Sequence, residues 1–162
     1  MRMLRYVLGS LLVISLAVVG ASAHDSGNSG PSSTQTQMNP QAKIFFDQGQ
    51  EYAKKRSWDL AIAAYQQAVR AEPKFVEAWN GLGHACRKAK QYDKALNAYK
   101  QAITLKQDYA NPHEYLARTY VALGDKEAAM REYEIVKRLD AKMAVDLLKA
   151  IEAGDPDLGD ED

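Results

Sequence analysis

The sequence has a single cysteine, Cys86, so a disulfide within the chain is excluded. It also has little of what catalysis needs. Between residues 40 and 152 there is one serine, Ser57, with no histidine nearby in sequence, and no His-Glu-x-x-His, Cys-x-x-Cys or glycine-rich phosphate loop occurs. Because no nucleophile and base share a plausible location, the sequence predicts a protein that is not an enzyme and has no cofactor or metal site.

An excess of charge of one sign is absent too. The chain has 21 Lys and Arg against 21 Asp and Glu, which gives no reason to expect a nucleic-acid partner. The distribution is uneven, however, because residues 40–152 carry 19 basic and 15 acidic side chains, whereas residues 153–162 carry five acidic and no basic ones. We interpret 153–162 as an acidic disordered tail. The alternative is weak docking of residues 155–162 in a groove of the same chain.

The one long apolar run lies at the N-terminus. Arg2 and Arg5 precede the largely apolar residues 6–20, and Ala21-Ser22-Ala23 provides the small-x-small pattern that signal peptidase requires. Fifteen helical residues span about 22 Å, which is short of a hydrocarbon core of about 30 Å. The sequence therefore predicts a signal peptide over 1–23, a periplasmic or secreted chain, and no membrane span after cleavage. A retained anchor is the alternative.

Residues 24–39 are rich in Ser, Gly, Asn, Thr and Gln and predict a flexible linker. The linker ends at Asn39-Pro40, where Asn suits a helix N-cap and Pro suits the first helical position. The same pair recurs at Asn111-Pro112, and a helical pattern follows both. After cleavage His24 would be the first residue, and its amine and imidazole together can chelate copper, which gives a remote alternative function.

Residues of similar size recur in the chain at an interval of 34 positions. Three copies are present, and Pro73 ends the first of them. The aligned sets are Phe45, Trp79 and His113; Gln48, Leu82 and Leu116; Gly49, Gly83 and Ala117; Tyr52, Cys86 and Tyr120; Ala61, Ala95 and Ala129; Tyr65, Tyr99 and Tyr133; Ala68, Ala102 and Val136.

This spacing resembles the tetratricopeptide repeat, whose pattern runs Trp-x-x-Leu-Gly-x-x-Tyr, then Ala-x-x-x-Phe, Ala and Pro. The resemblance implies an all-α solenoid over 40–152, in which small residues let paired helices approach. Its parts are repeats at about 42–75, 76–109 and 110–143 and a capping helix at 142–152. Helices are predicted near 40–55, 58–71, 75–89, 92–105, 112–122 and 126–139. His113 and Cys86 depart from the pattern, and we interpret both as buried core residues.

By resemblance to the family, the exposed sides of the first helices line a concave groove that binds a protein or peptide partner. Asn and Gln can bond an extended backbone, Arg can bind a carboxylate, and Phe46 and Tyr115 offer apolar area. The predicted groove residues are Lys43, Phe46, Gln50, Lys54, Glu77, Asn80, His84, Arg87, Lys88, Asn111, Glu114, Tyr115 and Arg118.

Some family members bind a partner's terminal carboxylate through a clamp that includes lysine and arginine. The corresponding positions here contain no cation, so the resemblance does not imply that clamp; they are Phe46, Gln50, Gly81, Asn111 and Tyr115. Gly81 has two interpretations. It either leaves room for a ligand side chain, in which case Gly81→Ala would stabilise the fold and weaken binding, or it is a tolerated helix glycine.

Two functions of different class remain beside the copper alternative. The leading hypothesis is an exported interaction module that holds a protein or peptide partner in an envelope assembly or secretion complex. The second is a homo-oligomeric scaffold, in which the end helix of one chain packs into the groove of another.

Overall fold

The computed structural model describes residues 38–160, so the predicted signal peptide, nearly all of the predicted linker and His24 lie outside the described residues. Within this range the chain forms seven α-helices and no strand. They are α1 (Pro40–Lys54), α2 (Trp58–Ala71), α3 (Val76–Lys88), α4 (Tyr92–Leu105), α5 (Ala110–Ala122), α6 (Lys126–Leu139) and α7 (Ala141–Ala153).

The start of α1 follows the predicted capping chemistry. Asn39 accepts a hydrogen bond from a first-turn backbone N–H at 2.9 Å, and Pro40 is the first helical residue. The prediction is wrong at Asn111-Pro112, because α5 begins two residues earlier, at Ala110. Pro112 is accommodated inside the first turn because the N–H groups there have no partner within the helix.

The helices form three hairpins, α1 with α2, α3 with α4 and α5 with α6, and α7 packs against α5 and α6. Each first helix also contacts the next one, α1 with α3, α3 with α5 and α5 with α7. No such contact joins α2 to α4 or α4 to α6 within residues 38–160. The stack therefore curves with its first helices on the inner side, which confirms the predicted all-α solenoid of helix hairpins.

Small residues lie where the paired helices come closest. Ala61, Ala95 and Ala129 are fully buried on the second helices. On the first helices, a Cβ atom added to Gly49 would lie 2.6 Å from the ring of Tyr65, and one at Gly83 would lie 2.5 Å from the ring of Tyr99. The pairing of a glycine with a tyrosine ring sets the distance between the helices in the first two hairpins.

Gly81 belongs to this packing, and the interpretation that it leaves room for a ligand is wrong. A Cβ atom there would lie 2.8 Å from two ring atoms of Tyr65. The ring of Tyr65 thus fills the space that both Gly49 and Gly81 leave open, and it joins the first hairpin to the second. The expected stabilisation by Gly81→Ala is replaced by a steric conflict.

Most of the residues assigned to repeat packing are buried, and Phe45, Tyr52, Trp79 and Tyr120 are half-buried. Pro73 is exposed, because it lies in the turn between α2 and α3. Its carbonyl oxygen accepts a hydrogen bond from Nε1 of Trp79 at 2.9 Å. Cys86 is fully buried, in agreement with its interpretation as a core residue.

His113 occupies the place of Trp79 one repeat later. Its Nε2 lies 3.1 Å from the carbonyl oxygen of Gln107, which is the equivalent of Pro73, and its Nδ1 lies 2.7 Å from Oε2 of Glu132. The ring is buried, as the sequence predicts. The imidazole of His113 therefore makes the same contact with the preceding repeat as the indole of Trp79 makes one repeat earlier.

Residues 154–160, which we call the acidic segment, are not the disordered tail that composition indicates. Gly154 has a left-handed φ of 66° and ends α7, and the N–H of Asp155 donates back to the carbonyl of Ala150 at 3.1 Å. The segment then runs over α5 to α3. Among residues 38–160, no helix has the length and apolar character needed to cross a membrane.

Candidate binding groove

A row of aromatic rings forms the floor of the concave side. The rings of Trp58 and His84 have centroids 5.9 Å apart, those of His84 and Tyr115 are 5.3 Å apart, and those of Tyr115 and Tyr99 are 6.0 Å apart. The row begins at the first turn of α2 and crosses α3 and α5. Tyr99 of α4, at the end of the row, is fully buried, so a bound chain can reach only the half-buried rings of Trp58, His84 and Tyr115.

The end of the groove near α1 is open. A cavity of about 350 Å³ lies over the N-terminal part of the aromatic row and is wide enough for a side chain of a bound peptide. Trp58 and Tyr65 supply its apolar wall, and Gln50 and Lys54 stand at its rim and are exposed. The full lining is Gln50, Ala53, Lys54, Arg56, Trp58, Tyr65 and His84.

Beyond this cavity, a basic pair on α3 binds two carboxylates of the acidic segment. Nη1 of Arg87 donates to Oδ1 of Asp157 at 2.7 Å, and Nη2 of Arg87 donates to Asp160. Nζ of Lys88 lies 3.2 Å from Asp160 and 3.4 Å from Asp157. The side chains of Arg87 and Asp160 are only 2% and 6% exposed, so this contact is enclosed.

Arg118 on α5 holds the backbone of the same segment. Its Nη1 donates to the carbonyl oxygens of Pro156 at 3.0 Å and Leu158 at 2.9 Å, while its Nε donates to Glu114 at 2.6 Å. The side chain of Arg118 is 1% exposed. Arg118 therefore positions the backbone of the segment and does not bind its side chains, whereas Arg87 and Lys88 bind the carboxylates.

The charges of the basic pair on α3 and of the acidic segment are complementary. Burial alone would raise the pKa of Asp157 and Asp160, but the hydrogen bonds and charges of Arg87 and Lys88 outweigh it, and both pKa values lie below their ordinary range. Burial raises the pKa of Glu114, although the charge of Arg118 opposes that shift. Asp157 and Asp160 are thus held in their ionised form at neutral pH.

The structure separates the predicted groove residues into groups. Gln50, Lys54 and His84 line the open cavity, and Arg87 and Lys88 bind the acidic segment. Asn111, Glu114, Tyr115 and Arg118 line a second cavity of about 530 Å³, together with residues of α7 and Asp160. Asn80 is half-buried on the same face of α3 as His84.

Three further predicted groove residues line neither of these cavities. Lys43 and Glu77 are exposed, and Lys43 pairs with Asp47 on its own helix. The ring of Phe46 packs against the rings of Tyr65 and Phe75, with centroids 5.8 and 4.8 Å away. Phe46 therefore belongs mainly to the core of the first hairpin.

Sequence reasoning missed one contributor to the groove. Trp58 begins a second helix, which the repeat pattern assigns to the outer layer, yet its ring reaches the open cavity. Its large size at the start of a helix was the available signal. Asp157 and Asp160 lie within residues 155–162, for which docking in a groove of the same chain was the alternative interpretation, and the path of the chain after Gly154 brings them to α3.

A curved stack of helix hairpins with a binding surface on its concave side defines an α-solenoid of the helical-repeat class. Two family models, both described as tetratricopeptide repeat, match residues 46–112 and 87–151. The chain belongs to the tetratricopeptide repeat family. The comparison with curated proteins gave no significant match.

Solved structures with this fold include domains bound to peptides. The first repeat domain of Spaghetti (RPAP3), bound to the HSP90 peptide SRMEEVD, has 23% identity and a TM-score of 0.67 over 71% of this chain and 93% of that chain. The second repeat domain of human RPAP3, in complex with the HSP70 peptide SGPTIEEVD, has 25% identity and a TM-score of 0.65 over 69% and 95%. The TPR2B domain of yeast Sti1 in its Hsp70 complex has 17% identity and a TM-score of 0.63 over 74% and 97%.

Proposed function

We propose that the chain is an exported interaction module that binds a segment of a partner protein along its concave groove, within an envelope assembly or secretion complex. The observation that carries the proposal is the pair Arg87 and Lys88, which holds two carboxylates next to an open, aromatic-walled cavity. A charged anchor beside an apolar pocket is typical of sites that recognise peptides.

The geometry indicates the chemistry of the partner segment. A carboxylate of the partner binds Arg87 and Lys88, and an apolar side chain enters the cavity between Trp58 and Tyr65. In agreement with this, the HSP70 peptide bound by the repeat domain of human RPAP3 ends in Glu-Glu-Val-Asp, which combines acidic and apolar side chains. The cations of this chain stand at positions other than those of the terminal-carboxylate clamp.

Site-specific photo-cross-linking tests the proposal. A photoreactive amino acid is placed either at Gln50, on the rim of the open cavity, or at Lys100, on the exposed side of α4. In the cells that produce the chain, we expect adducts with a distinct protein from the Gln50 position and not from the Lys100 position. Equal adducts from both positions, or none from either, would contradict a partner in the groove.

Export is tested separately. The N-terminal pattern predicts cleavage after Ala23, so sequencing of the chain recovered outside the cytoplasm should start at His24. A chain found only in the cytoplasm with Met1 intact would contradict export and leave the groove proposal standing.

A further inference from the structure

The acidic segment occupies the groove as a ligand would. The carboxylates of Asp157 and Asp160 are spaced i, i+3, and both converge on Arg87, while two backbone carbonyls of the segment accept from Arg118. The segment has its own turns, because the N–H of Asp160 donates to Asp157 and that of Asp157 to the side chain of Asp155. These turns present the carboxylates on one side.

The contact is built from charge more than from apolar burial. Asp157, Leu158 and Gly159 are exposed, and the side chain of Asp157 remains 61% accessible. Salt weakens exposed ion pairs, so the pair of Asp157 with Arg87 is readily replaced, whereas the pair of Asp160 with Arg87 is enclosed and is screened much less.

The acidic segment prevents a partner from contacting the basic pair Arg87 and Lys88. Asp157 and Asp160 both contact the guanidinium of Arg87, whose side chain is 2% exposed, and His84, which lines the open cavity, lies about one turn before Arg87 on α3. A partner that enters the cavity but cannot contact Arg87 makes only the apolar part of the interaction. Release of the acidic segment makes Arg87 and Lys88 accessible for the charged part.

We propose that the acidic segment is a built-in competitor for the groove, so that an acidic partner segment binds Arg87 and Lys88 only by displacing Asp157 and Asp160. This inference rests on the proposed function, because it assigns the regulation and the charge of the ligand at the same site. A short tether gives the segment an effective concentration on the order of mM, which weakens a competing peptide without abolishing its binding.

The test compares three full-length chains: the wild type, the variant Asp157→Asn/Asp160→Asn, and the control Glu152→Gln/Asp155→Asn. Both variants lose two negative charges from the same region, but the control leaves the contacts to Arg87 and Lys88 intact. Asn at position 155 also keeps an acceptor oxygen for the backbone. Thermal melting followed by circular dichroism checks that all three chains remain folded.

The probe is a labelled peptide, GDPDLGDED, which has the sequence of residues 154–162. By fluorescence anisotropy at low salt, we expect it to bind the Asp157→Asn/Asp160→Asn variant at least about tenfold more tightly than the wild type and the control. Adding Lys88→Gln to that variant should weaken the peptide several-fold. Heteronuclear NOE values for residues 155–160 should be high in the wild type and the control and low in the Asp157→Asn/Asp160→Asn variant.

Equal peptide binding by all three chains, or low NOE values for the segment in the wild type, would overturn the inference. A concentration-dependent dimer that the Asp157→Asn/Asp160→Asn variant loses would also overturn it, since the segment would then bind a second copy. The peptide assay needs no natural partner, and the cross-linking at Gln50 needs no peptide. Failure of the inference is therefore distinguishable from failure of the proposed function.

Discussion

At the scale of single residues, the ring of Tyr65 explains two glycines that helix propensity alone disfavours. It lies against Gly49 on α1 and Gly81 on α3, and it is itself buried. An interior glycine costs a helix about 1 kcal/mol relative to alanine, and here the close approach of the ring offsets that cost. The glycines are determined by packing between helices and not by a ligand.

Gly81→Ala should therefore destabilise the protein. The gain in helix propensity is about 1 kcal/mol, but overpacking against a buried ring costs about 1–3 kcal/mol, so we expect a net loss on the order of 1 kcal/mol. Thermal melting should show a midpoint lower by a few degrees, with Lys100→Ala on the exposed side of α4 as control. A midpoint above that of the wild type would contradict the packing of Tyr65.

The single thiol should be inert in the folded chain. Burial raises the pKa of Cys86 to about 11, with Lys94 opposing weakly, so almost no thiolate exists at neutral pH. We expect Ellman's reagent at pH 7.5 to leave Cys86 unmodified until guanidinium unfolds the chain. Rapid labelling under native conditions would show that α3 opens far more readily than its packing indicates.

At the scale of elements, the three hairpin turns are equivalent but have different residues. Arg56, Lys90 and Gly124 stand 34 positions apart, with φ values of 54°, 59° and 76°. Left-handed backbone is costly for residues other than glycine, by about 1–2 kcal/mol. Two of the three turns thus carry strain that the third avoids.

Lys90→Gly should relieve this strain and stabilise the protein by about 0.5–1 kcal/mol, after allowing for the greater entropy of glycine in the unfolded chain. Chemical denaturation provides the measurement. As a contrast, Lys100→Gly inside α4 should destabilise by about 1 kcal/mol. If both substitutions destabilise equally, the turn at Lys90 is not left-handed in solution.

At the scale of the whole molecule, the acidic segment joins the end of the stack to its middle and is sensitive to pH. Asp157 and Asp160 have pKa values below the ordinary value of 3.8, so docking is fully stabilised above that value and lost as the pH falls through the lowered pKa values. The charged side chains around Asp157 and Asp160 are Arg87 and Lys88 on α3 and Arg118 and Glu114 on α5.

We expect the heteronuclear NOE of residues 155–160 to stay constant from pH 7 to about 5 and to fall as the pH drops below about 4, while the amide signals of the helices persist longer. Salt near 1 M should weaken docking at neutral pH for the same electrostatic reason. Release of the segment near pH 6 would contradict the assignment of Asp157 and Asp160 as the groups that hold it.

The sequence by itself determined the helices, their pairing and the curvature, because these depend on small and aromatic residues that repeat at one interval. Ala61, Ala95 and Ala129 were assigned to close contact from that interval, and each is fully buried. The predicted start of α5 was wrong because Asn111-Pro112 has the sequence of a helix cap, although the helix begins at Ala110 and both residues lie inside its first turn.

Only the tertiary structure decided which groove residues are open, which are covered and what covers them. Asp157 lies 70 positions after Arg87, and no periodic pattern reports a contact that depends on where the chain turns after Gly154. Likewise, Gly81 faces Tyr65 of the preceding hairpin because stacking brings α3 against α2. Local spacing determines which residues share a helix face, whereas contacts between distant segments depend on the path of the whole chain.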